Sequence, residues 1–432
     1  MKLDKLEQKT FVLLLQVAFF TGFVNSASQI QDIIAKKALH ALDWQITLLV
    51  MLWPISNLFS IYWGKVLEQS KSIAKYLMIS GFVGRLILIF MLWVNNYYEY
   101  LFILTIFFSF NGLIIPATNS IYQHNIRNAN RGVMFGYAAS LTTLITLLGS
   151  YLAGRVLDAD ENWFRVFFAI VGVLGCYSSF LLALIKVEKK NFDPSTRIDL
   201  KKLFISPVLR AFEVMKKNRN FSIFQRNFFI YGIGFLIIVP VIPKYLVEIL
   251  KMSYTSSFVG KAVITQIPIL ILAPIAGKVF DKKNPANFSS IAFASLSLYP
   301  LFLFISSFFI GSTIAVFLTY FAFLMYGIAM SGILISWSIS SNYFAGNEDA
   351  AMYQSVHVTL TGVRGLIVPV LGFIIMKYLG VRAVFIVSIC FLLTASFLSF
   401  KLYLSMDKKE FRFDEKAKRL FRYFRKLFPF GG

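Results

Sequence analysis

Gly64-Lys65-Val66-Leu67-Glu68 and Gly277-Lys278-Val279-Phe280-Asp281 are one phrase written twice, each closing a long apolar stretch and opening a basic loop. Other echoes keep the interval. Asn111-Gly112 is answered by Tyr326-Gly327, Met134 by Met352, Gly154 by Gly372 and Cys176 by Cys390, at separations of 213 to 218 residues. The chain therefore reads as two halves repeated in the same direction, each half a bundle of similar layout.

Composition fixes the medium. With 57% hydrophobic and only 15% charged residues among 432, the chain falls well short of the roughly one-quarter charged content of soluble domains. Its charges gather in short segments between apolar runs long enough to cross about 30 Å of hydrocarbon. At that depth backbone groups have no water to bond, so the runs must be helices. The expected fold is an all-α polytopic membrane protein of twelve spans, near 10–34, 42–64, 73–95, 98–122, 132–156, 162–185, 221–247, 255–280, 286–309, 311–342, 349–377 and 380–404.

The net charge of +22 invites comparison with nucleic-acid binders, but its distribution points elsewhere. With both termini in the cytoplasm, 32 of the 43 Lys and Arg residues fall in or beside cytoplasmic segments, as the positive-inside rule requires. No nucleic-acid partner is expected; the basic excess reports topology and contact with anionic lipid headgroups, in a prokaryotic inner membrane. Lys2 to Lys9 followed by Phe11–Val24 imitates a signal peptide. Removing it leaves an odd number of spans and breaks the repeat, so it is read as the first span. Cys176 and Cys390 are read as small packing residues.

Four regions follow: a first bundle (1–185), a basic linker (186–220), a second bundle (221–404) and a basic tail (405–432). In the linker Leu200, Leu203, Phe204, Val208, Ala211, Phe212 and Met215 recur at helical spacing. In the tail Phe413, Ala417, Leu420, Phe421, Phe424, Leu427 and Phe428 do the same, with Lys and Arg on the other faces. Both are expected to be amphipathic helices lying on the cytoplasmic membrane surface.

Twelve spans in two parallel halves around a basic central loop resemble the major facilitator superfamily. That family carries Gly-x-x-x-Asp-(Arg/Lys)-x-Gly-(Arg/Lys) after its second span, with a weaker copy in the second half. Here the first copy runs Gly64 to Ser72, keeping the opening glycine and Glu68 but not the second glycine or the final base. The second copy, Gly277 to Asn284, is closer, with Asn284 standing where a glycine's left-handed backbone is favoured. The resemblance implies a gating role for Gly64, Glu68, Gly277, Asp281 and Lys282, the glycines letting helices of opposite halves approach. The fifth span ends Gly149-Ser150-Tyr151-Leu152-Ala153-Gly154, similar to the family's proton-coupled exporters but without their proline; Phe108 stands where they carry arginine.

Charge within a span costs roughly 2.5–3.5 kcal/mol on insertion scales, so it needs a reason. Tyr353, His357, Thr361 and Arg364 form one helical stripe at i, i+4, i+8 and i+11. Arg364 suits a carboxylate or phosphate; His357 suits proton coupling or a neutral hydrogen bond. A second stripe joins Thr21, Asn25, Gln29 and Asp32, with Lys36 as a partner for Asp32. Asn111 is a further candidate for substrate or coupling duty. Asn119, Tyr231, Gln266, Trp337 and Asn342 are weaker ones, and Arg85 is read as structural. Walker, Gly-x-Ser-x-Gly and metal-binding Cys/His signatures are missing from the sequence, so no enzyme activity and no cofactor are expected.

The expected function is secondary active transport of a small-molecule substrate by alternating access, coupled to H+ or Na+ and carried out by a monomer. One reading is export of amphipathic compounds. Another is an anionic metabolite held by Arg364. A third is a transporter-like sensor or scaffold that moves nothing.

Overall fold

The computed structural model describes residues 4–68, 72–187, 213–280, 283–345 and 350–406. The expected linker helix and tail helix lie almost entirely outside them. Among the described residues the secondary structure is helical. The first half holds α1 (Lys5–Lys37), α2 (Asp43–Glu68), α3 (Ile73–Trp93), α4 (Tyr97–Asn125), α5 (Asn128–Ala159) and α6 (Trp163–Ala183). The second holds α7 (Arg219–Ile249), α8 (254–280), α9 (Pro285–Ser306), α10 (Thr313–Ala345), α11 (350–379) and α12 (381–406).

Among the described residues ten helices are long and apolar enough to cross a membrane by length and composition, counting Val356–Met406 as one and without α2. That stretch of 51 residues, at roughly 1.5 Å per residue, is more than twice as long as a hydrocarbon core. It breaks where Gly380 takes φ 81°, a left-handed value that glycine adopts without cost.

Local chemistry starts the helices. Asp4 and Glu7 form a reciprocal capping box on α1. Asn96 caps α4 through the Tyr98 and Glu99 amides. Asn284 caps α9 by accepting from the Ala286 amide, followed by Pro285 in the first turn. Its φ is −60°, so the left-handed backbone expected there is not formed; capping takes its place. Three helices change pitch within their length, α7 through a π turn at Tyr245–Ile249. In α3 a π turn at Ser80–Arg85 passes into a 3-10 stretch at Leu86–Trp93, and α8 carries a π turn at Val259–Ile264.

In the first half α1 packs on α5 and α6, α2 on α4, and α3 on α6 and α4. In the second, α7 packs on the α11–α12 segment, α9 on α10, and α8 on α10. The halves meet along α2 with the α11–α12 segment and along α5 with α8. Glycine sets both approaches. A Cβ on Gly365 would stand 2.2 Å from Pro54 Cβ, one on Gly362 would stand 2.2 Å from a Leu58 methyl, and one on Gly154 would stand 2.9 Å from Thr255 Cα. Gly277 does not serve this purpose: the nearest atom to its Cβ position is in Ile335 of the same half, 3.9 Å away. At Gly277, then, the close approach expected of the second copy is not made, and Gly154, Gly362 and Gly365 make it elsewhere.

Candidate functional site

Two ends of the molecule are fastened differently. At the end carrying the start of α1, ties run within a half. Glu7, 1% exposed, accepts from the Arg127 amide at 2.9 Å, from Arg127 Nη2 at 2.6 Å and from Asn130 Nδ2. This contact raises the Arg127 guanidinium above its ordinary range. In the second half Asn218 donates to the Phe344 carbonyl and to the Tyr353 hydroxyl.

At the far end ties cross between halves. Lys36 of α1 contacts Asp43 at 2.8 Å and Glu248 of α7 at 2.5 Å, while Lys244 of α7 contacts Asp43 at 2.5 Å. One layer inward, Asp32 of α1 pairs with Lys261 of α8. Asp158, in the last turn of α5, accepts from the Tyr254 and Thr255 amides at 2.6 and 2.9 Å. Lys37 donates to the Met252 carbonyl at 3.2 Å and lies 4.1 Å from the Tyr254 ring centre. Among the described residues, the hydrogen bonds and ion pairs joining the halves all lie at this far end.

Exposure follows the same asymmetry. Leu157, Phe258 and Ala262 are buried where α5 and α8 meet. Toward the other end of α5, residues 135 to 137 are exposed in succession, and a Cβ on Gly136 would touch nothing within 4 Å. A single lipid-facing side would expose a stripe every third or fourth residue. Three consecutive exposed residues sweep more than half the helix circumference. Among the described residues the halves are thus fastened at the far end, while α5 is exposed around more than half of its circumference toward the terminal end.

The predicted stripe on α11 is brought together, and it faces α7. His357 Nδ1 lies 2.8 Å from Gln225 Oε1, and its ring packs against Phe228 and Trp337. Thr361 donates to the His357 carbonyl and accepts from Trp337 Nε1. Arg364, 4% exposed, donates Nη1 to the Phe228 carbonyl at 2.5 Å. Its guanidinium stands 5.5 Å from the Tyr231 ring centre and lies against Gly232, where any Cβ would fall within 2.3 Å of it. Among the described residues no carboxylate pairs with it. Arg364 Nε, His357 Nε2 and Gln225 Nε2 are buried without hydrogen-bond partners. An aromatic wall continues outward, with Tyr231 stacked on Phe293 at 4.4 Å and Phe235 on Tyr326 at 6.1 Å.

The α1 stripe is not kept together. Thr21 bonds to Ser178 of α6, Asn25 is exposed, Gln29 is half-buried, and Asp32 turns to Lys261. The partner expected for Asp32, Lys36, serves Asp43 and Glu248 instead, because the second half supplies a closer cation. Asn111 is half-buried on α4 and Gln266 half-buried on α8. Arg85 is fully buried, donating to the Gly175 carbonyl at 3.0 Å. Gly64 and Glu68 lie in the last turns of α2; Asp281 and Lys282 lie outside the described residues. Cys176 and Cys390 are free thiols.

Residues 11–363 match the profile of the Major Facilitator Superfamily. The chain belongs to the Major Facilitator Superfamily. Its fold is similar to that of the nucleoside transporter NupG (TM-score 0.73, 13% identity, covering 91% of this chain and 100% of that one). It is also similar to a POT family transporter in complex with 5-aminolevulinic acid (TM-score 0.74, 13% identity, 92% and 96%). The fucose:proton symporter FucP of E. coli is a further neighbour (TM-score 0.57, 14% identity, 91% and 98%). A comparison with curated proteins finds no match. At these identities the likeness is one of fold, and one superfamily fold carries many cargoes. The chain is a multi-pass membrane transporter of a small solute.

Three contributors escape a reading of the sequence: Lys261, Gln225 and Asp158. For Lys261 a signal exists, since a lysine inside an apolar run must find a counter-charge in another helix, and Asp32 is the acid that the sequence reading places inside a span. Gln225 and Asp158 carry no such mark.

Proposed function

We propose that the protein is a secondary active transporter of a small amphipathic organic anion, working by alternating access and driven by an ion gradient. The observation that carries this reading is Arg364: a buried guanidinium with no carboxylate partner among the described residues, set beside an aromatic wall. A buried cation lacking a counter-ion is costly, and a substrate carboxylate or phosphate supplies the missing charge. The rings of Tyr231, Phe293, Phe235 and Tyr326 suit an apolar body. This joins the two cargo readings of the sequence, amphipathic and anionic. A cationic cargo is disfavoured because Asp32, the acid available within a span, is already paired with Lys261.

The fastened far end and the exposed terminal part of α5 support one access state, open toward the termini. The charge pattern places that side in the cytoplasm and brings anionic headgroups to the linker and tail. Glu68 and Asp281 serve as switch-loop acids, as the family motif implies. The test is flux into proteoliposomes of organic anions with and without aromatic bodies, under imposed pH and sodium gradients. Gradient-dependent movement of an aromatic carboxylate that is lost in Arg364→Ala supports the reading; no flux of any anion overturns it.

A further inference from the structure

We propose that Asp158 is a gating residue of the transport cycle, which holds the far end shut by capping a helix of the opposite half. The inference rests on the alternating-access reading and adds to it a residue that neither the repeated phrase nor the α11 stripe contains.

A helix start leaves its first amides without intrahelical acceptors and carries a partial positive charge. The second half's α8 starts at Tyr254, and its own cap, Ser253, accepts from the Ser256 amide. That leaves the Tyr254 and Thr255 amides. Both are taken by one carboxylate, Asp158, from the last turn of α5 in the first half. The connection before α8 is held from the same side: Lys37 of α1 donates to the Met252 carbonyl. Lys251 beside it has φ 50°, a conformation uncommon for a side-chain-bearing residue. One turn earlier on α5, Gly154 lets the Thr255 backbone approach, so the carboxylate arrives at hydrogen-bond distance.

These contacts exist only while the far end is closed. When the halves part there, α8 loses its acceptor to water and Asp158 regains hydration, so the capping energy belongs to one access state alone. A ligand or contact biases a two-state equilibrium only by its difference between the states, and an interhalf cap has nearly all of its effect in that difference. Caps shift equilibria by a factor on the order of 3 to 30 when removed. A change of that size alters access populations without unfolding either bundle.

The experiment uses the full chain with Cys176→Ser and Cys390→Ser, purified in detergent, and follows maleimide labelling at one introduced cysteine at a time. Ser257→Cys reports the far end, because Ser257 is fully buried on the α8 face between Tyr254 and Lys261. Gln16→Cys reports the terminal end, because Gln16 is exposed on α1. Asp158→Ala is expected to speed labelling at 257 about 3- to 30-fold and to slow it at 16. Asp158→Asn, which keeps one acceptor oxygen, is expected to restore most of the difference. Lys36→Ala with Lys244→Ala, which removes the outer ion-pair layer, serves as the comparison. If that pair shifts the two sites in opposite directions and Asp158→Ala shifts neither, the gating role of Asp158 is overturned while alternation stands. If Asp158→Ala speeds labelling at both sites, the residue is merely structural and the proposal fails. If neither variant moves either site, the alternating-access reading falls as well.

Discussion

Asp32 and Lys261 form an ion pair across the two halves, one helix layer inside a cluster of the buried Lys36 with the partly exposed Asp43, Lys244 and Glu248. The two layers differ in physics. In the outer layer Lys36 and Asp43 each keep two partners of opposite charge, and Lys244 and Glu248 at the rim are partly hydrated, where exposed pairs contribute roughly 0–1 kcal/mol each. They can break and re-form in a cycle. The Asp32 side chain is only 5% exposed, so losing its partner strands a charge in a poorly solvated place.

Lys261→Met should therefore destabilise the protein by about 3–5 kcal/mol, the usual cost of orphaning one member of a buried pair. Asp32→Asn combined with Lys261→Met should recover most of that loss. Thermal unfolding in detergent checks this; the double variant must melt above the Lys261→Met single.

Gly365→Leu should sharply reduce transport and lower stability by about 1–3 kcal/mol, the range for overpacking. Its Cβ would stand 2.2 Å from Pro54 Cβ, and a proline in α2 cannot yield without bending that helix. Gly277→Ala should be close to neutral for stability, since the nearest atom is 3.9 Å away. Unfolding midpoints of the two variants, measured side by side, decide the matter.

Gln225→Leu should cost about 1–3 kcal/mol, because it leaves His357 Nδ1 buried and unpartnered. Adding His357→Leu should relieve part of the penalty by removing both polar partners together. A double-mutant cycle on unfolding midpoints gives the coupling directly.

The fold was legible in the sequence because period and length are global properties. The repeated phrase, the small residues and the apolar runs all pointed to one bundle pair, and the α11 stripe from Tyr353 to Arg364 emerged intact on one face. The site was legible only along single helices. Spacing aligned Thr21, Asn25, Gln29 and Asp32, but packing distributed them among α6, open space and α8. Which helix faces a residue depends on contacts 132 residues away for Gln225 and 229 for Lys261, so their partners could not be read from local pattern. Of the repeated Gly-Lys-Val phrase, Gly277 makes no close approach to the other half, and Gly154, Gly362 and Gly365 do.

The most direct test of the central claim is uptake of radiolabelled aromatic carboxylates into proteoliposomes under an imposed proton or sodium gradient, comparing the natural chain with Arg364→Ala and Arg364→Lys. The predicted result is gradient-dependent accumulation of at least one such anion. It should fall by an order of magnitude or more in Arg364→Ala, from loss of a charge-assisted contact of about 1.5–3 kcal/mol, and recover in part in Arg364→Lys. Accumulation that is unchanged in Arg364→Ala, or absent for every anion while a neutral or cationic solute is carried, would contradict it.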